Sequence, residues 1–554
     1  MSTKTDKILE TLTPLTQAIF LSAVIVCWQI FFRIEEVADV YFVINIGRYI
    51  LENGFPQVDP FTIHENLKLV PQQWLSGIFF WEVYKFLGAD GIKLLDCIFG
   101  SILLVIYWRL CLFVSGGNKF LSLALSFVVG MFIASMILPR PQIFSTLLLL
   151  LEVFSLEKFT RTKDFRYLLP LPLLSVLLVN CHAAIWLMSL VMCLPFLFVK
   201  DTRHIKFLLA AMAAIFLCGL INPYGLDAMT YVFRSYGVDL ISQGVKEMST
   251  PTAHKLYGKI FYLSEALIIF SLAKFKVAWR YVLLSVGITF MAIMHERNLI
   301  LFYFFATLPL AYVWKNFSVE KFLPAKDAGY KNFGVLVLMF FLLLLLNTVA
   351  TIAILRDGLE KFSAPLEVLF FISILFLLYN LLIVKFEGRV IHPAILPRKN
   401  LSLFVAALII GGIALTTLDA DKKESDEAFT AAIKFLIKNE RPENISLYVD
   451  QGYGGLAGMF GVKYYIDSRS EVFIAANNKQ KNILAEYVNF KNGKIYYKDF
   501  FARYKFTHII FASDDYFLYR ELTADKNFRV IYESERVEDY KVIRCKIFVP
   551  KNGA

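Results

Sequence analysis

IEEVADVYFVINIGRYILENGFPQVDPFT, residues Ile34 to Thr62, follows the first hydrophobic run and is the first stretch long enough to fold outside lipid. It carries Glu35, Glu36, Asp39, Glu52 and Asp59 beside a membrane that carboxylates enter only at high cost. Placed on a helix, positions 39, 42, 43, 46 and 50 share one face, apolar except for Asp39. Such a helix lies on the membrane surface and holds one carboxylate at the boundary. Low local dielectric raises the basicity of that group, and a nearby arginine such as Arg48 opposes the rise. A carboxylate at headgroup depth can take a proton from an acceptor hydroxyl; Asp39 can equally cap the helix start. Gly54 suits a helix stop, with Pro56 and Pro60 beyond it. Asp59, before Pro60, reads as a turn residue and as a second candidate carboxylate.

Composition sets the class. Of 554 residues, 57% are hydrophobic and 19% charged, with mean hydropathy +0.58. Soluble domains are about one quarter charged, so lipid is the main solvent here. The formal net charge is +11, but Lys and Arg are scattered through short loops and form no single basic face. That pattern excludes a nucleic-acid partner and points to anionic membrane lipids. The seven cysteines form no CxxC pair, so no zinc site is expected and they read as small buried hydrophobes. The start, MSTKTDKILETLTP, has no small-residue cleavage site and predicts an uncleaved first helix.

About thirteen membrane spans are predicted: 15–33, 91–113, 119–138, 141–158, 167–181, 183–199, 205–221, 258–273, 279–294, 297–314, 333–354, 365–384 and 400–417. Trp74–Gly88 is apolar but holds Glu82 and Lys85, and reads as an interfacial helix. Spans 167–181 and 183–199 share the polar hinge Asn180-Cys181-His182, as a broken helix pair or a re-entrant hairpin. Basic residues concentrate on one set of alternate loops, among them EKFTRTKDFR (157–166) and KDTRHIK (200–206). The positive-inside rule then places the N-terminus in the cytoplasm and the C-terminal region outside.

With that orientation the unusual polar motifs fall on the outer side. They are the 34–62 stretch, Pro139-Arg140-Pro141-Gln142, Asn180 with His182, Asn222-Pro223-Tyr224-Gly225, the loop around Lys246-Glu247, and His295-Glu296-Arg297-Asn298. Together they suggest the rim of one cavity. Guanidinium groups hold phosphate in a bidentate way, so Arg140 and Arg297 with Lys246 and His254 make a candidate phosphate site. Each arginine alone reads as interface snorkelling. His182 can bond a sugar or a phosphate, or satisfy a helix end. His295-Glu296 lacks the second histidine of a zinc-protease motif.

The expected architecture is a mostly α polytopic domain over 1–417, with a first outer loop at 34–90, and a soluble extracytoplasmic α/β domain over 418–554. In the latter, 424–439 reads as an amphipathic helix and 445–450, 463–467, 507–513 and 528–534 as strands, with helical patterns near 478–489 and 515–523. DQGYGG (450–455) lacks the spacing of either phosphate-binding glycine motif and reads as a strand-to-helix turn.

These residues resemble bacterial membrane proteins of the GT-C glycosyltransferase superfamily, in a largely uncharacterised branch. That branch carries a pattern like D-L-W-W-H-L-x-x-G-R-x-I-L, then G-x-x-P-x-x-D-P-F-S, then W-L. Here stand Asp39-Val40-Tyr41-Phe42-Val43, Gly47-Arg48-Tyr49-Ile50-Leu51, Gly54-Phe55-Pro56-Gln57-Val58-Asp59-Pro60-Phe61-Thr62 and Gln73-Trp74-Leu75. Arg140-Pro141-Gln142, Asn180-x-His182, Asn222-Pro223-Tyr224-Gly225 and Arg297-Asn298 are similar too, and Asp467-Ser468-Arg469 is similar to a D-x-R element. The aromatic Trp-Trp-His run is Tyr41-Phe42-Val43 here, and an Asp usual two places before Asp39 is Val37.

The resemblance implies a polyprenyl-phosphate sugar as donor, Asp39 as catalytic base, and Arg140, Arg297 or Lys246 on the leaving phosphate. Glu247, His182, Arg48 and Asp59 complete the candidate substrate-binding set. It implies a bacterial inner-membrane location and an envelope acceptor. The sequence requires no cofactor, and the resemblance leaves a divalent metal open. Two other functions compete: a transporter or flippase of lipid-linked sugars, and a non-catalytic envelope assembly protein. Transporters place charge near the bilayer midplane, where Asp96 is the main case here.

Overall fold

The computed structural model describes residues 14–31, 39–234, 246–254, 256–316, 424–511, 517–538 and 541–551. Glu35, Glu36, Val37 and the predicted spans 333–354, 365–384 and 400–417 lie outside the described residues. The chain forms two compact units: one of 1–33, 100–136 and 308–418, the other of 34–99, 137–307 and 419–554. In the first, helices Pro14–Phe31 and Lys119–Ile133 pack with Phe20 stacked on Phe127, ring centres 5.7 Å apart. Asn118 caps the second helix, its side-chain oxygen accepting from the Leu121 N–H at 2.9 Å.

The second unit contains every element that matters below. Helix α1 is Asp39–Asn53, ended by Gly54 at φ +84° with its N–H on the Ile50 carbonyl at 2.9 Å. Helix α2 is Trp74–Val114, of which residues 74–99 belong to this unit and 100–114 to the first; it is kinked at Gly88 (φ +64°), where the predicted interfacial segment ends. Helices α3 (Gln142–Thr162) and α4 (Pro170–His182) follow. Beyond α4 the hinge becomes a 3-10 turn, Ala183–Ile185, and a short helix, Leu187–Cys193.

Among the described residues, four helical stretches are long and apolar enough to cross a membrane: Trp74–Val114, Lys119–Met136, Phe165–Ile185 and Thr202–Gly219. Of the thirteen expected spans, ten fall on described residues, and those at 91–113, 119–138, 167–181 and 205–221 coincide with these four stretches. The others differ for physical reasons. Helix α3 is 21 residues long but carries Glu152, Glu157, Lys158 and Arg161. The span expected at 183–199 keeps an apolar helical stretch only over Leu187–Leu197, and that at 279–294 is the shorter Trp279–Met294. The one at 297–314 breaks into 3-10, α and π turns.

The C-terminal segment is α/β. Helix Glu424–Asn439 precedes strands β1 (Ser446–Tyr448), β2 (Lys463–Tyr464), β3 (His508–Phe511), β4 (Phe528–Glu538) and β5 (Lys541–Pro550). The sheet order is β2-β1-β3-β5-β4. β1 pairs in parallel with β2 and β3, and β5 runs antiparallel to β3 and β4. Central β3 is buried at all four positions, as a strand covered on both faces must be. The first loop docks here. Ile63 N–H bonds the Tyr464 carbonyl at 3.0 Å beside β2, and Leu67 and Leu69 enter the same core as Tyr465, Phe473 and Phe500.

DQGYGG does turn from β1 into a helix, α5 (Gln451–Met459), with the Asp450 side chain accepting from the Gln451 N–H. Its glycines serve packing. A Cβ on Gly454 would stand 2.2 Å from the Ile466 carbonyl oxygen. Helix α5 rests on α1, where Asn45 Nδ2 donates to the Gly455 carbonyl at 2.7 Å. Arg48 donates to the carbonyls of Gly458 and Met459 at 2.9 Å each. A cation there satisfies the orphan carbonyls of a helix end and its negative dipole pole.

Candidate functional site

A close helix crossing builds one wall of the site. A Cβ on Gly47 would fall 2.1 Å from the Gly77 carbonyl oxygen, so only glycine lets α1 and α2 meet there. The crossing sets Phe42 and Val43 beside Gln72 and Gln73. The Gln72 side-chain and main-chain oxygens accept from the N–H groups of Ala184 (2.9 Å) and Ala183 (2.7 Å). Trp74 Nε1 donates to Asn180 Oδ1 at 2.8 Å, and Ser76 to the Cys181 carbonyl at 2.7 Å. These bonds fix the end of α4 and the imidazole of His182.

The result is a cavity of about 140 Å³. Arg140, His182, Glu247 and Arg297 all line it, with Gln73, Gln142 and Ser145. Arg140 Nη1 donates to both Glu247 oxygens, at 2.8 and 2.6 Å. Burial raises the Glu247 carboxyl, but the Arg140 charge and bond, with Arg297 nearby, hold it below its ordinary value. Arg297 differs. Its carbonyl accepts from Gln142 Nε2 at 2.9 Å, and its guanidinium reaches only the Met248 sulfur, at 3.5 Å. Among the described residues no carboxylate lies within ion-pair distance of it.

Asp59 is not on the cavity wall. Its carboxylate accepts from Thr62 and from Arg469 Nη1, the latter at 2.5 Å. Arg469 also donates from Nε to Asp467 at 2.8 and 3.0 Å. Tyr464 adds its hydroxyl to Asp467 at 2.6 Å. This buried triad holds Ser468–Glu471, which forms another part of the wall. Arg48 is also away from the cavity, on the end of α5. His254 is exposed and does not line it. Lys246 opens a 3-10 turn, Lys246–Met248, and Asp39 is the first residue of α1; their side chains lie outside the described residues.

The sequence reading missed Glu471. It lines the cavity and accepts from the Tyr231 hydroxyl at 2.9 Å. Burial pushes its carboxyl above the ordinary value, against the pull of its own backbone N–H, Tyr231, Arg297 and Arg469. No local motif marks it; only its nearness to the D-x-R element was a signal. Among the described residues no three His, Cys, Asp or Glu side chains gather as a metal-ligand set.

No family model matches the sequence, and no curated protein matches it. Solved structures do. The apo crystal structure of the oligosaccharyltransferase of Archaeoglobus fulgidus superposes with a TM-score of 0.51 at 12% identity, covering 91% of this chain and 70% of that one. The archaeal oligosaccharyltransferase AglB of the same organism, in complex with an inhibitory peptide and a dolichol-phosphate, gives 0.50 at 11% identity over 91% and 70% of the two chains. At these identities the likeness is one of fold. This chain is a membrane protein with a GT-C-like fold.

Proposed function

We propose that the chain is a GT-C-type glycosyltransferase that takes a sugar from a polyprenyl-phosphate carrier and passes it to an envelope acceptor on the outer face of a bacterial inner membrane. The observation that carries this reading is Arg297, a cavity cation with no carboxylate partner among the described residues, beside the Arg140–Glu247 pair. A phosphate suits that guanidinium, which can give it paired N–H···O bonds. The archaeal neighbour solved with a dolichol-phosphate supports the same ligand chemistry.

The base is Asp39. It stands one turn before Phe42 and Val43, which line the cavity. The acceptor oxygen attacks the anomeric carbon and its proton goes to the Asp39 carboxylate. The bond from that carbon to the phosphate oxygen breaks, and the phosphate leaves with the electron pair, steadied by Arg297 and Arg140. One displacement inverts the anomeric configuration. No step is assigned to a metal.

The test is a mass-spectrometric comparison of envelope glycans with and without the gene, joined to a reconstituted transfer assay. The gene is expected to add a sugar, and Asp39→Asn to stop transfer while the protein still folds and inserts. Unchanged glycans with no donor consumption overturn the reading. Full activity of Asp39→Asn removes Asp39 as base.

A further inference from the structure

The cavity contains an imidazole whose proton position is linked to a serine hydroxyl. Ser145 Oγ lies 3.1 Å from His182 Nδ1 and 3.0 Å from the Gln142 carbonyl oxygen. A hydroxyl has one proton to give, and a carbonyl can only accept. When Ser145 donates to Gln142 it accepts from His182, and the proton of the neutral ring then sits on Nδ1. The lone pair is left on Nε2. His182 is only 7% exposed, and the surface it keeps belongs to the cavity wall. No described residue bonds Nε2.

A buried lone pair of this kind discriminates by sign. It repels phosphate oxygens and carboxylates and attracts O–H donors. The phosphate has its own candidate partners on the cavity wall, Arg140 and Arg297. We propose that His182 Nε2 accepts a hydrogen bond from a hydroxyl of the donor sugar, so that the cavity recognises sugar and phosphate through separate groups. This rests on the lipid-phosphate reading above. Ser145 is the positioning residue: it acts through His182 Nδ1. The Gln73 carboxamide on the same wall is a neutral group suited to a second hydroxyl.

The experiment is equilibrium binding to the full chain in lipid nanodiscs. The probes are polyprenyl phosphate alone and its glucose, mannose, galactose and N-acetylglucosamine forms. The wild type is expected to bind at least one sugar-bearing lipid about tenfold tighter than the bare phosphate. His182→Ala loses that gain, with a smaller change in its affinity for bare polyprenyl phosphate. His182→Gln, whose amide oxygen can take the place of Nε2, recovers part of it. Ser145→Ala, with His182 intact, loses part of it by freeing the tautomer. The proposal is overturned if no sugar adds affinity, if His182→Ala keeps the gain, or if it weakens the bare phosphate equally. Loss of the gain in wild type on adding EDTA also overturns it, because the lone pair would then serve a cation. Failure of the phosphate reading is separate: bare polyprenyl phosphate does not bind, or Arg297→Gln leaves its affinity unchanged.

Discussion

Arg469 and Arg297 belong to the same compact unit, and both stand among carboxylates on the cavity wall. Their surroundings differ. The Arg469 side chain is 2% exposed, and Asp59 and Asp467 beside it are 0% exposed. Its charge is met twice, and Thr62 and Tyr464 donate further hydrogen bonds to the two carboxylates. Arg297 has a thioether for a neighbour. A guanidinium clasped by two buried carboxylates mainly holds chain segments together. An open one keeps its field for whatever enters. The same residue type thus splits into scaffold and site according to whether its partners are already in the fold.

The largest test of that contrast is Arg469→Met. It leaves Asp59 and Asp467 buried without their cation, a loss of about 3–5 kcal/mol. Thermal unfolding of the purified protein reads it, and an unchanged midpoint would break the scaffold assignment. Arg297→Gln is next and moves a different quantity. Affinity for polyprenyl phosphate falls roughly 10- to 150-fold, the worth of one charged hydrogen bond. Its unfolding midpoint stays near wild type, because no ion pair is lost. If this variant unfolds early and binds normally, the two arginines have been assigned the wrong way round.

The smallest effect is Glu247→Gln. Arg140 and Glu247 side chains are 19% and 40% exposed, so solvent screens the pair and its loss costs under about 1 kcal/mol. The pair lowers the folded-state value of the Glu247 carboxyl. Its contribution is therefore complete above the ordinary carboxylate range and is lost as pH falls through the lowered value. The stability gap between wild type and Glu247→Gln should be flat near neutral pH and close only in acid. A gap that instead opens below pH 5 would mean that the pair does not hold the carboxylate charged.

Local chemistry made much of this readable in advance. Period 3.6 marked α1 and the face shared by Asp39, Phe42 and Val43, and Gly54 marked its end. Apolar runs marked β1 to β4, and Asp450 before a glycine run marked a turn into α5. Elements that depend on partners were missed. Tyr497–Tyr504 is eight residues, too short to form alone, and exists because Tyr497, Phe500 and Phe501 reach the aromatic core. β5 carries Lys541, Arg544 and Lys546 among its apolar residues and reads as a polar tail until β3 and β4 pair with it. Counting spans failed for a related reason. Hydropathy shows that a segment avoids water but not whether its helix runs unbroken or where its charges are neutralised. Glu157 in α3, for example, has Arg280 at 3.2 Å.

Composition and residue spacing decided the solvent this chain folds in, the polar motifs, and which side chains had charge to contribute. They could do so because hydrophobicity and helical period are properties of neighbours along the chain. Tertiary structure decided the rest: that Asp59 is spent on Arg469, that Arg48 caps α5, that Glu471 reaches the cavity, and that Ser145 stands 3.1 Å from the His182 ring. Those outcomes depend on contacts between residues up to 411 positions apart, and a charge becomes structural or functional only when such a contact is made or left open.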